Sequence, residues 1–308
     1  MSVLLLTHRA CLRHDPGDYH PECPDRLRAV LAGLEAEEFS DLIRAEAPEA
    51  TVAQLERAHP RNYIDAILAI RPAEGENVAM DADTVMSAGS AEAALRAAGA
   101  AVAAVDAVMR GEVRRAFCAT RPPGHHAEPA RPMGFCFFAN AVIAARHAQA
   151  EHGAARVAIL DFDVHHGNGS QACVEADPSI LFASSHQWPL YPGTGDRRER
   201  GVGNIFNAPL RAGADGAEFR EAWQALLPAI EGFGPDLLVI SAGFDAHARD
   251  PLAQLRLREA DFAWVTEALC GVAGRRCGGR LVSLLEGGYD LDALAASAAA
   301  HVRVLMQA

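Results

Sequence analysis

Four short clusters in this 308-residue chain hold the residue types that hydrolytic chemistry uses. In Asp161-Phe162-Asp163-Val164-His165-His166-Gly167, residues Asp161, Asp163 and His165 recur at every second position. That spacing puts their side chains on one face wherever a strand continues through them. The Asp-x-His pair offers one ion a carboxylate oxygen and an imidazole nitrogen. A third ligand from another segment would leave the fourth tetrahedral position of a catalytic zinc open to water. Asp245, just past an apolar run, is the natural candidate. Two carboxylates and one histidine form a harder set than the usual zinc site, so ferrous iron or cobalt competes with zinc. A polar strand end facing solvent is the bland alternative. It is disfavoured because two histidines and two aspartates at the mouth of a buried strand are costly to keep dry without a metal or a charge partner.

The second cluster, Arg121-Pro122-Pro123-Gly124-His125-His126, is too rich in proline and glycine for helix or central strand and reads as a stiff loop. Amide hydrolysis needs a base for the water proton and an acid for the departing amine. A histidine near neutral pKa serves both steps, and either His125 or His126 fits. In the third, Glu286-Gly287-Gly288-Tyr289-Asp290, two glycines let the backbone approach a ligand closely and leave Tyr289 at the rim. Its hydroxyl could donate to a developing oxyanion. Gly243-Phe244-Asp245 is the fourth.

The elements that must carry these clusters are legible as short apolar runs at residues 3–6, 116–119, 157–160, 180–183, 237–240 and 281–285. They alternate with helical stretches at 88–110, 139–151, 217–230 and 258–272. Buried parallel strands covered by helices on both faces are expected, an α/β fold. Ser87 or Ser90 is a candidate cap for the longest helix. Each cluster follows a strand, and the carboxyl ends of parallel strands share one rim, so all four are expected in one crevice. No linker or repeat divides the chain, and 1–308 reads as a single domain.

Half the residues are hydrophobic and the net charge is -12, a field that opposes nucleic acid and suits a cationic ligand. Seven scattered cysteines without a Cys-x-x-Cys pair read as reduced thiols. No segment approaches a signal peptide or a membrane span, so a cytoplasmic protein with no membrane partner is expected.

Together, Arg121 to Ala127, Asp161 to Gly169, Ser241 to Asp245 and Glu286 to Leu291 resemble the ordered motif series of the histone deacetylase family, in the arginase-deacetylase superfamily. The likeness extends to His20-Pro21-Glu22-Cys23-Pro24-Asp25-Arg26-Leu27, Gly134-Phe135 and Tyr191-Pro192-Gly193-Thr194-Gly195. The Glu-Gly-Gly-Tyr form is similar to the class II branch and its bacterial relatives. The resemblance implies about eight parallel strands wrapped by helices, and zinc held by Asp163, His165 and Asp245. It makes His126 general base and acid, His125 an electrostatic partner oriented by Asp161, and Tyr289 the donor to the acetyl carbonyl. Gly134, Phe135 and Tyr191 would line a narrow acyl-lysine tunnel. A structural potassium ion is implied at the carbonyls of Asp161, Asp163 and His165 and at Ser184 and Ser185. Asn168 stands where class I members carry an aspartate; it bears no charge and should stabilise a protonated His126 less.

Leu252 occupies the position that holds an acidic gatekeeper at the tunnel rim of the polyamine-selective relative, which favours an acyl-lysine or a neutral acyl chain over acetylpolyamine; acyl-lysine on a peptide or protein and small acyl-amines stay open as substrates. A ureohydrolase with two manganese ions would need further bridging aspartates. A catalytically inert acyl-lysine binder would have lost a ligand, the tyrosine or a tandem histidine, and all are present. Acyl-chain length and subunit count stay open, a homo-oligomer included.

Overall fold

The computed structural model describes residues 2–308. In chain order the strands are β1 (Val3–Thr7), β2 (Ile43–Glu46), β3 (Val78–Ala79), β4 (Val85–Met86), β5 (Arg115–Cys118), β6 (Val157–Asp161), β7 (Ile180–Gln187), β8 (Ile205–Leu210), β9 (Leu237–Ala242) and β10 (Leu281–Leu285). The helices are α1 (Pro24–Gly33), α2 (Val52–Leu55), α3 (Arg61–Ala69), α4 (Ser90–Met109), α5 (Asn140–His152), α6 (Asn168–Val174), α7 (Gly216–Phe233), α8 (Glu259–Cys277) and α9 (Leu291–Gln307). β3 and β4 form a small antiparallel pair. The other eight strands make one sheet in the order β2-β1-β5-β10-β9-β6-β7-β8, every pairing parallel.

Alternation along each strand splits the apolar residues between two cores. Leu4, Leu6, Cys118, Ile159 and Val239 pack beneath α4 and α5 on one face. Leu5, Phe117, Leu160 and Ile240 pack beneath α7, α8 and α9 on the other. Central strands are therefore apolar on both faces, as the continuous runs predicted. The fold is a single α/β domain with a helical layer on each side of the sheet.

β2 and β8, the two edge strands, escaped the sequence reading. The residues of β2, Ile-Arg-Ala-Glu, are all exposed, and β8 carries Asn207 and Pro209, a proline that only an edge tolerates. Neither Ser87 nor Ser90 caps α4. Its N-cap is Gly89 without a side-chain bond, because the hydroxyls are used elsewhere. Ser90 Oγ accepts from Ser87 N at 2.7 Å, and Ser87 Oγ accepts from Asp15 N at 3.0 Å, tying the N-terminal loop to the helix.

Sheet order positions the site. The strands preceding the four clusters, β5, β10, β9 and β6, are consecutive neighbours at its centre. The tandem histidines, Tyr289, Asp245 and the Asp163–His165 pair therefore leave the same rim side by side.

Candidate active site

Asp163, His165 and Asp245 are buried, and one donor atom from each lies within 4.8 Å of the others. His165 Nδ1 stands 3.2 Å from Asp163 Oδ1 and 3.1 Å from Asp245 Oδ2. Strand alternation does not achieve this. β6 ends at Asp161, and the following bend aims the pair while main-chain N–H groups hold the carboxylates. Gly287 N donates to Asp163 Oδ2 at 2.8 Å and Val164 N to Asp245 Oδ1 at 2.9 Å. Glycines make the room: a Cβ on Gly243 would meet Asp163 Oδ2 at 2.0 Å, and one on Gly287 would meet Asp245 Oδ2 at 2.1 Å.

The electrostatics ask for a cation. Burial, then the Asp163 charge, pushes the Asp245 carboxyl up to about 7. Burial opposes the charged form of His165, yet hydrogen bonds and charge from Asp163 and Asp245 raise it to about 10. A divalent ion would take the place of that proton, since a ligating histidine must be neutral. The donor set, two carboxylates and an imidazole, fits zinc, ferrous iron or cobalt.

The tandem histidines differ sharply in their surroundings. His125 Nδ1 donates to Asp161 Oδ2 at 3.0 Å, and its Nε2 lies 3.8 Å from Asp163 Oδ2. Burial works against its charge, but Asp163 and Asp161 hold its pKa well above the ordinary value. His126 Nδ1 instead meets Asn168 Oδ1 at 2.8 Å. Burial, reinforced by His125 and His165, holds it well below the ordinary value. The surroundings thus push the two rings in opposite directions, His125 toward the imidazolium and His126 toward the neutral imidazole.

A cavity of about 190 Å³ opens onto these groups, lined by His126, His165, Tyr289, Gly134, Phe135, Tyr191, Leu190, Leu252 and Asp83. The four residues predicted for the tunnel are all among them. Phe135 has φ 68°, left-handed backbone that is strained for a bulky side chain. Its N–H donates to Thr84 Oγ1 at 3.0 Å, and that of Gly134 to Asp83 Oδ1 at 3.0 Å. Tyr289, whose phenol burial pushes well up from its ordinary pKa, packs edge-on to Phe135 and lies beneath the Arg26 guanidinium, 4.8 Å from its ring centre.

Ser184 stands opposite Asp161 in the β6–β7 register, and its hydroxyl pairs with His186 Nδ1 at 2.9 Å. The Ser185 hydroxyl accepts from Trp223 Nε1 at 2.9 Å. Both are buried beside the loop that carries Asp163 and His165.

Four charged groups to which the sequence alone gives no role brace this rim. Glu22 accepts from Arg121 Nη2 at 2.6 Å and from Arg26 Nη1 at 2.8 Å. Burial opposes its ionisation, but the Arg121 charge and His14 hold its carboxyl well below the usual range. Arg26 Nε also donates to Gly288 O at 2.6 Å, which links the first helix to the Tyr289 loop. Glu286 Oε2 accepts from Gly124 N at 2.7 Å and His125 N at 3.2 Å, tying the Tyr289 loop to the tandem histidines. The available signal was two glutamates and two arginines inside otherwise buried motifs.

A second set of metal-capable groups, Asp106, His147 and His152, lies where α4 and α5 end, ahead of the first residues of β5 and β6. Arg57 donates to His147 Nδ1. The His147 proton is therefore on Nε2, 2.8 Å from Asp106 Oδ1, and His152 Nε2 lies 2.6 Å from the same oxygen. Arg57 and Arg110 border that set and supply its positive charge.

The sequence model of the histone deacetylase domain matches residues 20–305. The chain belongs to the histone deacetylase family. A histone deacetylase-like amidohydrolase of Pseudomonas aeruginosa is 43% identical to it over 278 residues, covering 88% of this chain and 72% of that protein. Histone deacetylase 14 of Arabidopsis thaliana, named chloroplastic, is 37% identical over 329 residues, covering 98% and 76%. The crystal structure of the HDA15 HD domain is similar with a TM-score of 0.93 at 35% identity, covering 99% of this chain and 88% of that one. Membership of the histone deacetylase family places the chain among the amidohydrolases of the deacetylase class, enzymes that are in general metal-dependent. No described helix is long and apolar enough to cross a membrane.

Proposed function

We propose that this chain, as one catalytic domain over 1–308, hydrolyses the amide between an acetyl or related acyl group and the ε-amine of lysine. The observation that carries this reading is the cavity of about 190 Å³ itself. Phe135, Tyr191 and Leu252 give it apolar walls suited to a methylene stem, and His126, His165 and Tyr289 line it beside them.

Asp163, His165 and Asp245 would hold a divalent ion, zinc by preference, which supplies a Lewis acid for the acyl carbonyl and makes water a stronger nucleophile. A structural potassium ion would draw on main-chain carbonyls of Asp161, Asp163 and His165 with Ser184 and Ser185. His126, kept neutral, takes the proton of the attacking water and returns it to the departing amine. His125, pushed toward its charged form by Asp163 and Asp161, lends positive charge as the oxyanion develops. Tyr289 keeps its proton at neutral pH and donates to that oxyanion. Arg26 over its ring fixes the phenol's approach.

A small cationic acyl-amine such as an acetylpolyamine is the second reading. It draws on Asp83, whose carboxylate borders the same cavity. That carboxylate is already engaged by Gly134 N and Thr84 Oγ1, while Leu252 presents no charge, so acyl-lysine is preferred. The acidic surface and seven free cysteines accord with a cytoplasmic enzyme that has no nucleic-acid or membrane partner. Purified, metal-loaded protein assayed on an acetyl-lysine peptide and on acetyl-spermidine decides between the substrates. At least tenfold higher kcat/KM on the peptide is expected, and equal turnover rules out the lysine preference.

A further inference from the structure

Asn168 meets three partners with its single amide, the weakest of them Met133 Sδ, which accepts from Nδ2 at 3.4 Å. One end lies 2.8 Å from His126 Nδ1, the other 2.9 Å from Glu128 Oε1. A carboxylate only accepts, so the end facing Glu128 is the Nδ2 amine and the end facing His126 is the carbonyl oxygen. That oxygen also only accepts. The hydrogen of a neutral His126 therefore sits on Nδ1, which leaves Nε2 as a bare lone pair.

Asn168 and His126 are 6% and 4% exposed, so little water is at hand to compensate a turned amide. Were Asn168 to rotate by half a turn, its NH₂ would face Nδ1, drive the proton to Nε2 and close the lone pair that proton transfer needs. The side chain alone allows both orientations, and Glu128, a charged acceptor at 2.9 Å beside the weak thioether acceptor of Met133 at 3.4 Å, breaks the tie. Its own main chain is fixed, since Glu128 N donates to Arg131 O at 3.0 Å.

We propose that Glu128 is a positioning residue for His126. By accepting from Asn168 Nδ2 it orients the amide, and through the amide it locks the imidazole in the tautomer whose Nε2 can take a proton. It also returns a negative charge to the pair, one hydrogen bond further out than an aspartate at 168 would. The inference rests on His126 being the proton carrier of the proposed deacetylase.

Glu128→Ala and Glu128→Gln, compared with wild type on an acetyl-lysine peptide, test it, together with histidine ring nitrogen NMR. Loss of such a supporting partner typically costs ~10–100-fold, so Glu128→Ala should lower kcat by about tenfold or more while KM stays within about twofold. Glu128→Gln keeps an accepting oxygen and should recover kcat to within about threefold. The His126 signals should report the Nδ1–H tautomer in wild type and Glu128→Gln, and a mixture in Glu128→Ala. Wild-type kcat in Glu128→Ala, an unaltered tautomer there, or a Glu128→Gln as slow as Glu128→Ala overturns the proposal. A wild-type protein inert on every acyl-amine defeats the deacetylase reading instead, and the tautomer comparison then decides the role of Glu128 alone.

Discussion

His125 is held by a carboxylate, Asp161, at 3.0 Å, whereas the adjacent His126 is held by an amide. In the proposed mechanism the pair is thereby split into a ring pushed toward its charged form and a ring that exchanges a proton. Replacing each with alanine should separate the roles. His126→Ala removes the base and should lower kcat by ~10²–10⁴. His125→Ala removes a fixed charge and should cost less. Asp161→Asn should follow His125→Ala at ~10–100-fold. Steady-state kinetics on metal-loaded protein check the order; equal losses at His125 and His126 would erase the distinction.

Tyr289 borders the same cavity as His126 and His165. Tyr289→Phe keeps the packing against Phe135 and removes only the donor, so kcat should fall by ~10²–10³ with KM nearly unchanged. A change confined to KM would make the phenol a binding group.

Glu286 ties two loops through the amides of Gly124 and His125. Glu286→Ala leaves both buried N–H groups without their acceptor, a cost of ~1–3 kcal/mol for each group left unmet. Urea unfolding should show that loss, with Glu286→Gln recovering most of it. A Glu286→Ala protein as stable as wild type would mean that the amides find another acceptor.

Away from the rim, His301 bridges Thr266 Oγ1 at 2.6 Å and Ser283 Oγ at 2.8 Å, and burial holds its pKa down at about 3. In the unfolded chain it titrates near 6.5. Below that pH the unfolded state binds a proton that the folded state refuses. Its contribution is full above about pH 6.5 and is lost as pH falls toward its folded value, at up to ~1.4 kcal/mol per pH unit. Glu22, depressed below its ordinary 4.5, loses its contribution only at lower pH. Unfolding measured between pH 7.5 and 5 should therefore be less pH-dependent in His301→Gln than in wild type. Identical slopes would refute the buried neutral histidine.

The six central strands were readable because apolar runs with residues facing both cores, such as residues 157–160, have no other use. The edge strands were not, since the Ile43–Glu46 strand is exposed and reads as loop. At the rim, ligand types and tandem histidines announce themselves by chemistry. Glu128, Glu22 and Glu286 act through partners distant in sequence, such as Glu22 with Arg121, a pairing that only sheet order creates. The helix-cap expectation failed for a similar reason: Ser87 and Ser90 spend their hydroxyls on each other and on the chain's first loop.

One divalent ion shared by Asp163, His165 and Asp245 is the centre of the proposed chemistry, and metal content measured alongside acetyl release tests it most directly. Wild-type protein should carry about one tightly held equivalent beyond any potassium. It should lose activity when a chelator removes that equivalent and regain it with zinc, while Asp163→Ala, His165→Ala and Asp245→Ala should neither hold the ion nor turn over. Acetyl release that survives both the chelator and these substitutions would contradict it.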